Sequence, residues 1–168
     1  MTEIRDEEDI KTYIESLKAE IPDIKAIRYV DVGEDNDEMV ENYFKNGYKG
    51  TVLFMGIHEQ KIKLDYRLTW LTVMCQMTIL VKYNKLQTAE LIQARKKAKK
   101  ILLNVLHAIK RDSEIANEAC MGRADNGLHW TFEIANGLIY PVGNINDAGC
   151  RGWSVDFEIG MPAVSEIN

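Results

Sequence analysis

Residues 67–83 read RLTWLTVMCQMTILVKY. Leu71, Val73, Cys75, Met77, Ile79, Val81 and Tyr83 form one alternating set, and Leu68, Trp70, Thr72, Met74, Gln76, Thr78 and Leu80 form the other. Successive side chains of an extended chain point to opposite faces, so the pattern predicts a strand. Its first face, apolar throughout, should meet a core; its second, mixed face should stay half wet. At about 3.3 Å per residue the run would span roughly 50 Å, longer than an ordinary strand. It is expected either to be broken by a bulge or to reach beyond the body toward another molecule.

Working outward from this run, the period changes. From Thr88, the expected cap, to about Arg111, the residues Leu91, Ala94, Ala98, Ile101, Leu102, Val105, Leu106 and Ile109 recur at helical spacing. Ala94 and Ala98 are small, so this helix can approach a sheet closely. Upstream, residues 7–20 predict a first helix with Ile10, Tyr13, Ile14, Leu17 and then Ile21 on one stripe. Asp6, Glu7, Glu8 and Asp9 crowd its positive end, and Pro22 stops it. Residues 24–32 and 50–58 read as strands, and 37–46 as a short helix with Met39, Val40, Tyr43 and Phe44 inward and Gly47 as its stop. Downstream, 112–126 is polar and reads as irregular, and 127–135 alternates through Leu128, Trp130, Phe132 and Ile134. The segment 136–150 looks turn-rich. Residues 152–160 set Trp153, Val155, Phe157 and Ile159 against Ser154, Asp156 and Glu158, and Pro162 ends the strand. Clean alternation implies an antiparallel sheet with one buried face. The expected fold is α+β: one domain over 1–168, with about five antiparallel strands covered on one face by two main helices.

Composition excludes several classes of function. Hydrophobic residues make up 46% and charged residues 28% of the chain, as in a soluble globular protein. No apolar stretch is long enough to span a membrane, and the acidic start MTEIRDEEDIK lacks the apolar core of a secretory signal, so a cytoplasmic location is expected. Cys75, Cys120 and Cys150 have no CxxC spacing. Cys75 reads as a small buried hydrophobe, and Cys120 and Cys150, if they meet, as reduced thiols. His58, His107 and His129 fall in no HxxxH or HExxH pattern. The stretch Asp31–Asn42 resembles a calcium loop, but Asn36 stands where the glycine belongs and Asn42 where the bidentate glutamate belongs. There is no GxGxxG after a strand, no GxxxxGK[ST] and no GxSxG. No enzyme, cofactor or metal is expected.

What remains is charge. The net is −5, which argues against general nucleic-acid affinity. Residues 1–42 hold 14 acids against 5 bases, and residues 88–111 hold 7 bases against 1 acid. The basic cluster is the run RKKAKK at 95–100, on the polar side of the long helix, and its candidate contact residues are Arg95, Lys96, Lys97, Lys99 and Lys100. The candidate acidic counterpart is Glu34, Asp35, Asp37 and Glu38. Three readings compete: a solvated face whose long stems cover apolar surface, one half of a contact between subunits, and a stripe near DNA. A phosphate-binding stripe would carry interleaved aromatics or more arginine than this one.

The order and texture of these elements resemble the tail terminator (minor tail, tail completion) proteins of long-tailed bacteriophages and prophages. The stretches that carry the likeness are the opening helix running into IPDIKAIRYVDVG, the pair YKGTVLFMGIHEQ and RLTWLTVMCQMTILVKYNK leading into QARKKAKKILLNVL, and the closing GWSVDFEIGMP. The resemblance implies a non-catalytic structural subunit that forms a ring, expected to be a hexamer. Such a ring caps the tail tube and meets head-completion proteins, with DNA in passing contact and no membrane. It implies assembly in the cytoplasm and a place in the virion tail. It supplies no functional residues for this chain. The alternative is a small α+β module that binds nucleic acid or a protein ligand without catalysis.

Overall fold

The structure is a computed structural model that describes residues 4–30, 36–45, 50–64, 69–84, 87–120, 130–143 and 149–162. Helix α1 (Glu7–Glu20) begins as its acids dictate. The Asp6 carboxylate accepts from the Asp9 amide at 2.9 Å, and the Asp9 carboxylate accepts from the Arg5 amide at 2.9 Å. Acidic side chains thus take up amides that the first turn leaves without partners. Ile10, Tyr13, Ile14 and Leu17 are buried on its inner face, and the chain leaves the helix at Ile21.

Among the described residues five strands form one sheet: β1 (Ala26–Val30), β2 (Thr51–Leu64), β3 (Thr69–Lys82), β4 (Thr131–Val142) and β5 (Cys150–Pro162), in the order β1-β2-β3-β5-β4. Three of the pairings are antiparallel, but β1 runs parallel to β2, so the expected all-antiparallel sheet is corrected to a mixed one. Helix α2 (Asn36–Lys45) stands between β1 and β2 in sequence, and a helical connection allows the next strand to keep its direction. Alternation of side chains is the same in either orientation, so the pattern in the sequence does not distinguish them.

The long strand resolves simply. β3 runs unbroken for fourteen residues, flanked by β2 on one side and by β5 from Trp70 to Lys82 on the other. It does not project alone. The irregularity sits in its partner, where the register shifts between Ile57 and Glu59 and leaves His58 as the extra residue. β2 also continues six residues past its expected end, to Leu64. Leu68 lies outside the described residues.

Helix α3 (Thr88–Cys120) is 33 residues long and spans roughly 50 Å at the usual rise. Its expected end at Arg111 is corrected: residues 112–120 are helical, and two of their polar side chains fasten the helix to distant elements. Asp112 accepts from the Tyr13 hydroxyl at 2.9 Å, and the buried Ser113 donates to the Trp130 carbonyl at 3.3 Å. Thr88, the expected cap, is the first helical residue. The segment 136–142, expected as turn, is strand. Asn136 and Gly137 have φ of 56° and 64° and make a bulge between Ile134 and Ile139, after which β4 resumes against β5.

The sheet carries two separate apolar layers. α1 and α3 cover one face, over Leu53, Met55, Val73, Cys75, Met77, Ile79, Val155, Phe157 and Ile159. Ala94 and Ala98 are 2% and 0% exposed, so α3 lies close on the strands. α2 lies on the other face, where Val40 and Phe44 pack on Val52, Phe54, Leu80 and Cys150. Two helices do cover one face as expected; the third covers one end of the face expected to be half wet. Cys75 is buried, and burial pushes its thiol up to about 12. Cys150 is a buried thiol, and the side chain of Cys120 lies outside the described residues. Among the described residues no helix is long and apolar enough to cross a membrane.

Candidate functional site

The run RKKAKK lies on α3 away from its buried stripe, and its five cations divide into two kinds. Three are held by neighbours. Arg95 stands over the Trp153 ring at 5.4 Å and Lys99 at 4.8 Å, while the Trp153 indole N–H donates to the Arg95 carbonyl at 3.2 Å. Lys97 lies 3.6 Å from Asp23, at the foot of α1. Lys96 and Lys100 are exposed and make no ion pair among the described residues. Ile92 and Leu103 bracket them, and both are unusually bare for their type, at 49% and 38% exposure. Ile92, Lys96, Lys100 and Leu103 fall on one side of the helix at spacings of three and four residues.

The acids of α1 are largely answered within the chain. Arg111 makes a two-pronged contact with Glu20 at 2.6 and 3.0 Å and also pairs with Asp112. This hydrogen bonding holds the Glu20 carboxyl below its ordinary range. The Tyr13 phenol is pushed far up by burial first and by Asp112 second. The expected acidic patch is different. Glu34 and Asp35 lie outside the described residues, and so does the side chain of Asp37; Glu38 is exposed on α2. Because α2 and α3 lie on opposite faces of the sheet, Glu38 and the basic run are not brought together within one chain.

The structure also presents a site that sequence reading missed. Beside α2, at the middle of the open sheet face, is a depression of about 190 Å³. Val30, Val40 and Val142 wall it, and Gly56, His58, Gln76, Thr78, Tyr140 and Ser154 supply its polar lining. The bulge turns the His58 ring over Gly56, where a Cβ would meet it at 3.2 Å. Gln76 donates to the Tyr140 oxygen at 2.8 Å and to Asp156 at 3.0 Å, and Tyr140 also donates to Asp156 at 3.2 Å. Thr78 and Ser154 share a hydrogen bond of 2.7 Å. Asp156 is therefore a fixed carboxylate with oxygen lone pairs to spare.

Further acids lie beyond it. Glu133 and Glu158 are direct cross-strand partners, an arrangement that costs stability when both are charged. Lys61, 3.7 Å from Glu158, offsets part of this. The alternation Ser154, Asp156, Glu158 was visible in the sequence as one polar face. Its join to Gln76 and Thr78 depends on the β3–β5 register, and Tyr140 was hidden in a stretch that looked like turns. Among the described residues no group of three His, Cys, Asp or Glu is placed to hold a metal. The chain matches no protein-family model and no curated protein.

Proposed function

We propose that this protein is a structural assembly subunit that associates head to tail with copies of itself. The observation that carries the reading is the separation of its surfaces. The exposed cationic and apolar stripe of α3 lies on one side of the sheet, and the acidic, partly apolar open face lies on the other. One patch meeting a different patch on the next copy generates a ring when the rotation closes. A separation that a single chain leaves unneutralised is suited to that geometry.

The particular role proposed is that of a tail terminator-like protein of a phage or prophage. Its ring, a hexamer in this reading, would cap the tail tube and join it to head-completion proteins, with DNA passing through the channel. The mixed sheet with a two-helix layer is compatible with this role. Light scattering across concentration and ionic strength tests the association, and electron microscopy of purified protein with tail tubes tests the capping. The expected result is a concentration-dependent ring weakened by salt, seated at one end of a tube. A strict monomer at high concentration and low salt, with no tube-bound density, would overturn the proposal.

A further inference from the structure

We infer that the depression on the open sheet face is a socket for a lysine from a second copy of this chain, delivered by the Ile92–Lys96–Lys100–Leu103 stripe of α3. The inference rests on the head-to-tail reading and gives it a specific contact.

Size argues first. At about 190 Å³ the depression is smaller than the roughly 300–1,000 Å³ typical of small-molecule sites, and fits one side chain. Its chemistry argues second. A lysine is an apolar four-carbon stem with a charged tip. Val30, Val40 and Val142 offer walls for the stem. Asp156 is not part of the lining but is hydrogen-bonded to two lining residues, Gln76 and Tyr140, and so offers a carboxylate beside the depression for the tip. Gln76 and Tyr140 fix that carboxylate before anything binds, so little ordering is left to the binding event.

The donor surface matches. Lys96 and Lys100 are the members of the basic run with neither an ion pair nor a ring contact among the described residues; Arg95 and Lys99 lie against Trp153, and Lys97 is near Asp23. Ile92 and Leu103, about 16 Å apart at the helical rise, bracket the two lysines with exposed apolar surface. The receiving face offers exposed apolar groups at Leu138 and Tyr140, 66% and 37% exposed, and further negative charge at Glu133 and Glu158. The two surfaces are complementary in both charge and apolar character, and they lie on opposite faces of the sheet, so one chain does not bring them together.

A charge exchange tests this. Asp156→Lys alone sets lysine against lysine at the contact, and the double variant Lys96→Glu, Lys100→Glu sets glutamate against aspartate. Each alone is expected to raise the apparent Kd for self-association by more than about a hundred-fold. An equimolar mixture restores opposite charges at both kinds of contact, so assembly should return in the mixture alone. Asp156→Asn, which keeps the shape, should give an intermediate loss, and thermal unfolding of each variant confirms that it is folded. Wild-type-like assembly by Asp156→Lys, or a mixture that stays monomeric, overturns the socket and leaves the head-to-tail reading standing. A wild-type chain that never associates overturns both.

Discussion

Gly152→Ala should destabilise the protein sharply, and Gly56→Ala should not, although both glycines lie inside strands. At Gly152 an added Cβ would fall 1.8 Å from the Ile79 carbonyl oxygen, 2.9 Å from the Ile79 carbonyl carbon and 2.8 Å from a Leu80 methyl. Two of those atoms are backbone in the central strand, so relief requires β3 and β5 to separate where Leu80 pairs with Gly152. Overpacking of a filled site costs about 1–3 kcal/mol, and a backbone collision belongs at the upper end. Replacing glycine also restricts the unfolded chain, which returns about 0.4–1 kcal/mol. The net is a loss of about 2 kcal/mol. For a chain of this size that lowers Tm by about 4–8 °C. At Gly56 the nearest atoms are the ring of the exposed His58 at 3.2 Å, which can swing aside, so the two effects nearly cancel, within about 0.5 kcal/mol. Urea unfolding followed by circular dichroism measures both. The midpoint should move for Gly152→Ala with the slope unchanged. A Gly152→Ala protein with a Tm within a degree of wild type, or a Gly56→Ala protein just as damaged, would refute this account of the β3–β5 contact.

Other outcomes follow from single contacts. Arg111 depresses the Glu20 carboxyl, so the stability from that pair is present above the ordinary carboxylate range and lost as pH falls through the lowered folded value; the wild-type advantage in Tm over Glu20→Gln should shrink as pH falls below the ordinary carboxylate value, and an advantage independent of pH would count against the pairing. Burial raises the Cys75 thiol from 9.0 to about 12, so a Cys120→Ser, Cys150→Ser variant should resist a thiol reagent at pH 8 until unfolded; the stability contribution is full below pH 9 and is lost as pH rises toward 12. Gly137 has φ of 64° and open space around the missing Cβ, so Gly137→Ala should cost about 1 kcal/mol through backbone strain alone, with no change in thiol or tryptophan exposure. Tyr13→Phe should lower stability by about 1 kcal/mol through loss of the bond to Asp112, and combining it with Asp112→Asn should give less than the sum of the two losses.

The candidate surfaces were half legible. The basic run could be found by counting, and its position opposite Ala94, Ala98 and Leu102 followed from helical period. That Arg95 and Lys99 lie against Trp153, leaving Lys96 and Lys100 exposed, could not be read, because Trp153 is more than fifty residues away and meets them only when β5 lies beside β3. The acidic counterpart expected at Glu38 was placed by composition alone. The structure adds Asp156, Glu158 and Glu133, which come from two strands and gather only through the β4–β5 register.

Local periodicity determined the rest of what the sequence gives up unaided: the inner face of α1, the buried stripe of α3, and the apolar face of β3 with Cys75 in it. These follow from backbone geometry acting over a few residues, where position in the repeat decides which side chain is buried. The structure alone decided the direction of β1, the face on which α2 lies, the nine extra residues of α3 and the continuation of β4 past Asn136-Gly137. In each case a distant partner outweighed a local signal. Tyr13 and Trp130 hold the polar end of α3 in a helix, and β5 holds β4 extended on both sides of a dipeptide that, taken locally, favours a turn.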